Sequence, residues 1–192
     1  MMNRVEALEK LANEIVDQSV GAALSHQATQ LVFGSGDPAA GIMLIGEAPG
    51  KKEDETGKPF VGASGRFLDE MLTTAGMRRD EVYITNIVKY RPPENRDPTI
   101  EEKKAFWPYL LRELEIVQPK VVITLGRHAG KIFIPDLVIS KDHGVSRTVK
   151  YNNREWLVIP LYHPAAALYN GSMRQTLIDD FLSASAQIYS DQ

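Results

Sequence analysis

Short runs of apolar residues alternate along the chain with longer segments whose apolar residues recur at helical spacing. A continuous apolar run is typical of a strand covered on both faces, and the helical spacing is typical of a helix with one buried face. Strands are predicted at residues 42–45, 82–88, 121–125 and 156–161. Helices are predicted at residues 6–16, 64–75, 100–117 and 176–188, and the segment between 46 and 64 is predicted to be a loop.

This order of strands and helices predicts the fold class. Buried strands that alternate with helices form parallel sheets, with the helices packed over both faces. We therefore expect an α/β protein, built as an open parallel four-stranded sheet with helices on both faces. The chain has 192 residues, of which 43% are hydrophobic, so it can bury one core, and we expect a single domain over residues 1–192.

Polar residues follow three of the predicted strands. Glu47 comes after the first strand, Asn86 lies near the end of the second, and His163 follows the fourth. Ligands of open parallel sheets bind beyond the carboxyl ends of the strands. A carboxylate, a carboxamide and an imidazole are thus predicted to converge on one edge of the sheet, where they could recognise and transform a small polar group.

Composition and spacing exclude several classes of protein. The chain has no cysteine, which excludes disulfides, thiol catalysis and a thiolate-held metal. The segment from Gly46 to Lys51 lacks the spacing of a phosphate-binding P-loop, and the four histidines lack metal-ligand spacing, so we predict no metal site. The sequence contains neither a secretion signal nor eighteen consecutive apolar residues, and we expect a cytoplasmic, nucleoid-associated protein.

Five motifs closely resemble those of the family 4 uracil-DNA glycosylases, in the family's order and at about its spacing. They are GEAPG at 46–50, GKPFVG at 57–62, TNIVKYRPP at 85–93, LG at 125–126 and HPAAALYN at 163–170. The resemblance extends from about residue 11 to residue 181. It implies the family's four-stranded parallel sheet and its activity: flipping uracil out of DNA and hydrolysing the N-glycosidic bond, which leaves an abasic site for base excision repair.

The resemblance also implies roles for residues of the base pocket. Phe60 resembles the aromatic platform on which the flipped base stacks, and Asn86 the residue that reads the edge of uracil. His163 resembles the histidine that donates a hydrogen bond to uracil O2 as the bond breaks. Ala48 and Gly50 are expected to contact the base as well.

The catalytic set implied by the resemblance is Glu47, Asn86 and His163. Glu47 is expected to position or activate the attacking water, or to stabilise the cationic sugar. Asp54 lies in the same motif block and could share this work.

A further group of residues is predicted to contact DNA. Two of them, Leu168 and Tyr169, lie in the segment that resembles the family's minor-groove loop, and they could fill the space left by the flipped base. The full set is Lys89, Arg91, Leu168, Tyr169 and Arg174.

The chain departs from the family at the iron–sulfur cluster, which family 4 enzymes hold with four cysteines. The motifs place the four ligand positions at Ser19, Ala22, Tyr90 and Phe106, so no cofactor is expected. We expect the two rings to pack into the vacated volume while the small residues allow the N-terminal segment to close over them. The alternative is a partly exposed Tyr90, with Phe106 belonging only to the apolar face of its helix.

Two other functions remain open on the sequence alone. One is a glycosylase for another deaminated base such as hypoxanthine, and the other is a uracil-DNA-binding protein without catalysis. The expected partner of the protein is uracil-containing DNA, bound by a monomer that is not associated with a membrane.

Overall fold

The computed structural model describes residues 3–151 and 154–189, and the side chains at 188 and 189 are not described. The strands are Ser35–Gly36 (β1), Ile42–Gly46 (β2), Tyr83–Asn86 (β3), Val121–Leu125 (β4), Arg147–Tyr151 (β5) and Arg154–Leu161 (β6). The helices are Arg4–Asp17 (α1), Ala22–Ser25 (α2), Lys51–Thr56 (α3), Ala63–Thr74 (α4), Ile100–Val117 (α5), Arg127–Phe133 (α6), Ile139–Asp142 (α7), Ala165–Tyr169 (α8) and Met173–Tyr189 (α9). None of these described helices is long and apolar enough to cross a membrane.

The strands form one sheet of six, in the order β1-β3-β2-β4-β6-β5. The four central strands β3, β2, β4 and β6 run parallel, which confirms the predicted parallel sheet. The edge strands β1 and β5 are antiparallel to their neighbours and were not predicted. Because β1 has two residues and every residue of β5 is at least partly exposed, neither carries the continuous apolar run by which the central strands were recognised.

Helices cover both faces of the sheet. On one face, α1 and α5 pack on alternate residues of the strands, among them Met43 and Ile45. On the other face, α4 and α9 pack on the residues between them, such as Leu44. This two-sided cover is the reason that β2 is buried along its whole length.

The predicted loop between β2 and α4 is partly wrong, because residues Lys51–Thr56 form the short helix α3. Helices α6, α7 and α8 were also missed, since seven residues or fewer are too short to display a helical period. By contrast, α5 begins where predicted: the Thr99 hydroxyl accepts from the Glu102 N–H, and the Glu102 carboxylate accepts from the Thr99 N–H.

Candidate active site

A cavity of about 310 Å³ opens at the carboxyl edge of the sheet. The segments that follow β2 and β6 contribute to it, together with the last residue of β3, the start of α4 and helix α8. Its lining residues are Ala48, Gly50, Glu53, Phe60, Gly62, Ala63, Ser64, Asn86, His163, Ala165, Leu168 and Tyr169. All five residues predicted to bind the base lie in this one cavity, whereas Glu47 does not line it.

Asn86 ends β3, and its side chain is buried with 2% exposure. Its Oδ1 atom has no hydrogen-bond partner among the described residues. An unpaired buried acceptor costs about 1–3 kcal/mol, which a donor on a bound ligand would recover. Room for such a ligand depends on Gly46, since a Cβ there would lie 2.5 Å from Cζ of Phe60 and would overlap Oδ1 of Asn86.

Phe60 adopts a left-handed backbone conformation, with φ of 52°. Non-glycine residues in this region are strained and persist only where their surroundings hold them. Gly65 of α4 is one such constraint, because any side chain there would overlap the backbone of Phe60. The result is a ring with 6% exposure, whose centroid lies 5.8 Å from that of His163 at an interplanar angle of 31°.

Two charged residues hold the backbone on either side of this ring. The Arg79 guanidinium donates to the carbonyl of Pro59 at 2.5 Å. The Glu53 Oε1 atom accepts from the N–H groups of Val61 at 2.9 Å and Gly62 at 2.7 Å. Neither residue was predicted to belong to the site, because these contacts join segments that no local pattern connects. The Gly at position 65, inside a predicted helix, was the one sequence signal of a close backbone approach.

His163 follows β6, and its Nδ1 atom accepts from the N–H of Ala165 at 3.1 Å. In the neutral ring the proton must therefore lie on Nε2. Loss of solvent around the ring lowers the pKa of His163 to about 4, although the nearby Glu53 carboxylate acts in the opposite direction. At neutral pH the ring is consequently an uncharged donor next to the aromatic face of Phe60.

Glu47 lies beside the cavity in a network of charges. Its Oε1 atom is 2.8 Å from Nζ of Lys103 and 3.5 Å from Nδ1 of His128. The other ring nitrogen of His128 is 3.1 Å from the carboxylate of Asp97. Glu47, Asp97 and His128 are close enough to surround a metal ion, but the Lys103 ammonium already supplies positive charge to Glu47. We therefore interpret this group as an ion-pair network.

The sequence of this chain matches a known protein family. Residues 33–184 match the family model of the uracil DNA glycosylase superfamily. The chain belongs to this superfamily.

Several relatives are named type-4 uracil-DNA glycosylases, which confirms the resemblance to family 4. The protein of Sulfurisphaera tokodaii is 45% identical over 183 residues, which are 92% of this chain and 83% of that protein. The protein of Archaeoglobus fulgidus is 43% identical over 92% of this chain and 91% of its own length. The protein of Thermotoga maritima is 38% identical over 95% of this chain and 96% of its own length.

The predicted DNA contact of Lys89 is wrong, because its side chain has no exposed surface. Its ammonium donates to Oγ1 of Thr85 at 2.7 Å and to the carbonyl of Asn86 at 2.7 Å, and it forms an ion pair with Glu113. Burial lowers the pKa of Lys89, while Glu113 opposes this shift. In this member of the superfamily Lys89 thus supports the end of β3 from inside the core.

Asp54 also has a structural role, and it does not line the cavity. Its two carboxylate oxygens accept from the N–H of Thr29 at 2.9 Å and from the Thr29 hydroxyl at 2.8 Å. These bonds attach α3 to the segment before β1. The carboxylate that does line the cavity is that of Glu53.

The remaining predicted DNA contacts lie on the surface. Leu168 and Tyr169 of α8 border the cavity, with 48% and 92% of their surface exposed. Arg174 forms an ion pair with Glu70, so part of its charge is already neutralised. Arg91 donates to Oδ1 of Asn95 at 2.7 Å. The DNA contacts of these four residues stay predictions.

The residues at the family's cluster positions do not fit an iron–sulfur cluster, since none offers a thiolate. Phe106 is fully buried and Tyr90 is 6% exposed, with ring centroids 6.1 Å apart. The N-terminal segment closes over them at Gly21, where a Cβ would lie 2.5 Å from the Phe106 ring. The predicted aromatic packing is confirmed, and the alternative of a partly exposed Tyr90 is wrong.

Replacing Phe106 with alanine should lower the free energy of unfolding by about 3 kcal/mol, because it removes a buried ring from this contact. We place the cost at the lower end for such substitutions because the neighbouring 19–22 segment can move into the space. Denaturant unfolding would measure it, with Phe106→Leu as the control that keeps an apolar side chain. Unfolding of the alanine variant at the wild-type midpoint would contradict this role of the ring pair.

Proposed function

We propose that this protein is a uracil-DNA glycosylase that flips uracil out of DNA, releases it as the free base and leaves an abasic site. The observation that carries the proposal is the unpaired Oδ1 atom of Asn86, which is buried in a cavity beside an aromatic ring and a neutral imidazole. The flipped base, the ring of Phe60 and the hydrogen-bond donor His163 would then lie together in one cavity. Enzymes that act on a base extrude it from the stack into such a pocket.

Selection of uracil would depend on the carboxamide of Asn86. Its oxygen can accept from uracil N3–H while its nitrogen donates to O4. Cytosine presents the opposite pattern on this edge and would leave buried groups unpaired, which is a strong basis for rejection. The ring of Phe60 would cover one face of the base, a contact that contributes about 1–3 kcal/mol.

In the proposed reaction the bond between N1 of uracil and C1′ of the sugar breaks, and its electron pair leaves with the base. Negative charge then develops on uracil O2, where the Nε2–H of His163 can donate, and positive charge develops on the sugar. Water bonds to C1′ and releases a proton, while the uracil anion takes up one proton. We assign Glu47 to positioning this water or stabilising the sugar, and Glu53 lies close enough to the cavity to add negative charge.

We further propose that residues 1–192 act as one domain and as a monomer. Packing of α1 against α5 supports the first point, since it joins the N-terminal helix to the segment that matches the superfamily. We propose that the protein works in the cytoplasm, at nucleoid DNA, where its substrate would be found.

The purified protein should release uracil from a uracil-containing oligonucleotide, and alkali should then cleave the strand at the abasic site. We expect full activity in the presence of a chelator, because the proposed steps use no cation and Lys103 provides the charge next to Glu47. Oligonucleotides with cytosine, thymine or hypoxanthine at the same position serve as controls.

The alternatives have different signatures in this experiment. A DNA mobility shift without release of base would indicate a binding protein, and faster cleavage at hypoxanthine would indicate a different base specificity. Loss of activity in chelator that one metal restores would contradict the metal-independent mechanism.

A further inference from the structure

A second concave surface lies between α5 and α6, a groove of about 480 Å³ next to the active site. Three apolar side chains line it: Ile100, Trp107 and Ile132. Three lysines surround this apolar floor, namely Lys103, Lys104 and Lys131. Ile100 is 67% exposed, which is unusual for a large aliphatic side chain and leaves the floor open to a ligand.

Several cations around the groove have no carboxylate partner. Lys104, Lys131 and the nearby Arg127 are exposed, and none of them forms an ion pair with a carboxylate among the described residues. Two acidic residues contact groups that line the groove, since Glu47 pairs with Lys103 and Asp97 contacts His128. A third, Glu101, is exposed beside Ile100. A local positive surface therefore exists on a chain whose net charge is -3.

The groove lies close to the active site, and Glu47 is the residue between them. Lys103 and His128 line the groove, and both also contact the carboxylate of Glu47. Ala48 and Gly50, in the motif that begins beside Glu47, line the base cavity. A DNA strand whose uracil occupies the cavity therefore has a path from Glu47 into the groove.

We propose that this groove binds the DNA strand on one side of the flipped nucleotide, with phosphates at Lys104 and Lys131 and an unpaired base on the floor formed by Ile100 and Trp107. Grooves that bind single strands combine cations along the backbone path with apolar and aromatic surfaces for the bases. An acidic protein segment would also be attracted by the lysines, but the position of the groove beside the base cavity favours DNA. This inference rests on the proposed function and assigns a path to its substrate.

The test compares Lys104→Ala/Lys131→Ala with the wild type and with a control of equal charge change, Lys10→Ala/Lys120→Ala. All four lysines are exposed, and Lys120 precedes β4 at the opposite edge of the sheet. Affinity for a single-stranded uracil oligonucleotide would be measured over a range of salt concentrations. Loss of two phosphate contacts should reduce the slope of log K against log salt by about 1.4, which corresponds to roughly 25-fold weaker binding at 0.1 M salt.

Shortening the oligonucleotide distinguishes direct contact of the strand with the groove from long-range electrostatic attraction between the lysines and the DNA. Wild-type affinity should fall when nucleotides are removed from one side of the uracil, and the Lys104/Lys131 variant should be insensitive to that trimming. Its single-turnover cleavage rate at saturating DNA should equal that of the wild type, because neither lysine contacts the base cavity. Ile100→Glu, which places a like charge against the strand at an exposed position, should weaken binding in the same length-dependent way.

A salt slope equal to that of the control variant would overturn the proposal, and so would weaker binding that does not depend on flank length. The salt slope and the dependence on flank length are both measured by binding, so they are informative whether or not the protein cleaves DNA. Failure of the wild type to release uracil would instead contradict the proposed function, since binding and cleavage are measured separately.

Discussion

Replacing His163 with alanine is expected to slow single-turnover release of uracil by about 10²–10³-fold while uracil-DNA binding persists. The loss falls on the rate because the hydrogen bond from Nε2 strengthens only as negative charge develops on O2. The bond between Nδ1 and the N–H of Ala165 directs the other nitrogen's proton to the ligand. Rapid-quench measurement with excess enzyme would determine the rate, and His26→Ala, at an exposed position, is the control.

Asn86→Ala should reduce activity by a different route, because it removes the atoms that distinguish uracil from cytosine. The cleavage rate of Asn86→Ala with uracil should fall toward its rate with cytosine. His163→Ala should be slow, but it should still cleave uracil faster than cytosine. Near wild-type rates for both variants would show that the reaction does not occur in this cavity.

The pH dependence should reflect a histidine that is already uncharged. With a pKa of about 4, His163 is neutral throughout the range in which an ordinary histidine would change charge, near pH 6.5. The single-turnover rate should therefore show no transition due to this residue between about pH 5.5 and 8. A fall in rate as pH rises through the normal histidine range would show that the charged ring is required and would contradict this assignment.

Replacing Lys89 with methionine should lower the free energy of unfolding by about 3–5 kcal/mol at pH 8, the range for removing one partner of a buried ion pair. The substitution keeps a long apolar side chain but leaves the carboxylate of Glu113 without its cation in a fully buried position. Tyr83 and Thr85 would still donate to Glu113, at 3.0 and 3.1 Å, which is insufficient compensation for a full charge. Denaturant unfolding monitored by circular dichroism would give the value.

A double variant separates the effect of the unpaired charge from the loss of the lysine side chain. Lys89→Met/Glu113→Gln removes both charges and keeps an acceptor for Tyr83, and it should recover most of the lost stability. A single variant as stable as the wild type at pH 8 would show that the pair contributes little.

Several features of this protein were predictable because they depend on neighbouring residues. The four parallel strands could be located because strands covered on both faces need continuous apolar residues, as in β2 and β4. The start of α5 was recognisable because Thr99 and Glu102 satisfy each other's backbone groups within one turn. The motifs also identified Asn86, Phe60 and His163, which the fold brings into one cavity.

Other features depend on contacts between distant segments, which no local pattern contains. Lys89 has the sequence signature of a surface cation, and only the position of Glu113, 24 residues away, makes its burial tolerable. Phe60 is held in a left-handed conformation by Arg79 and Glu53, which belong to different segments. The apolar and motif patterns by themselves therefore determined the four parallel strands and five residues of the base cavity. The tertiary structure alone decided which charges are paired, buried or free, because the energy of a charge depends on its neighbours in space and on its access to water.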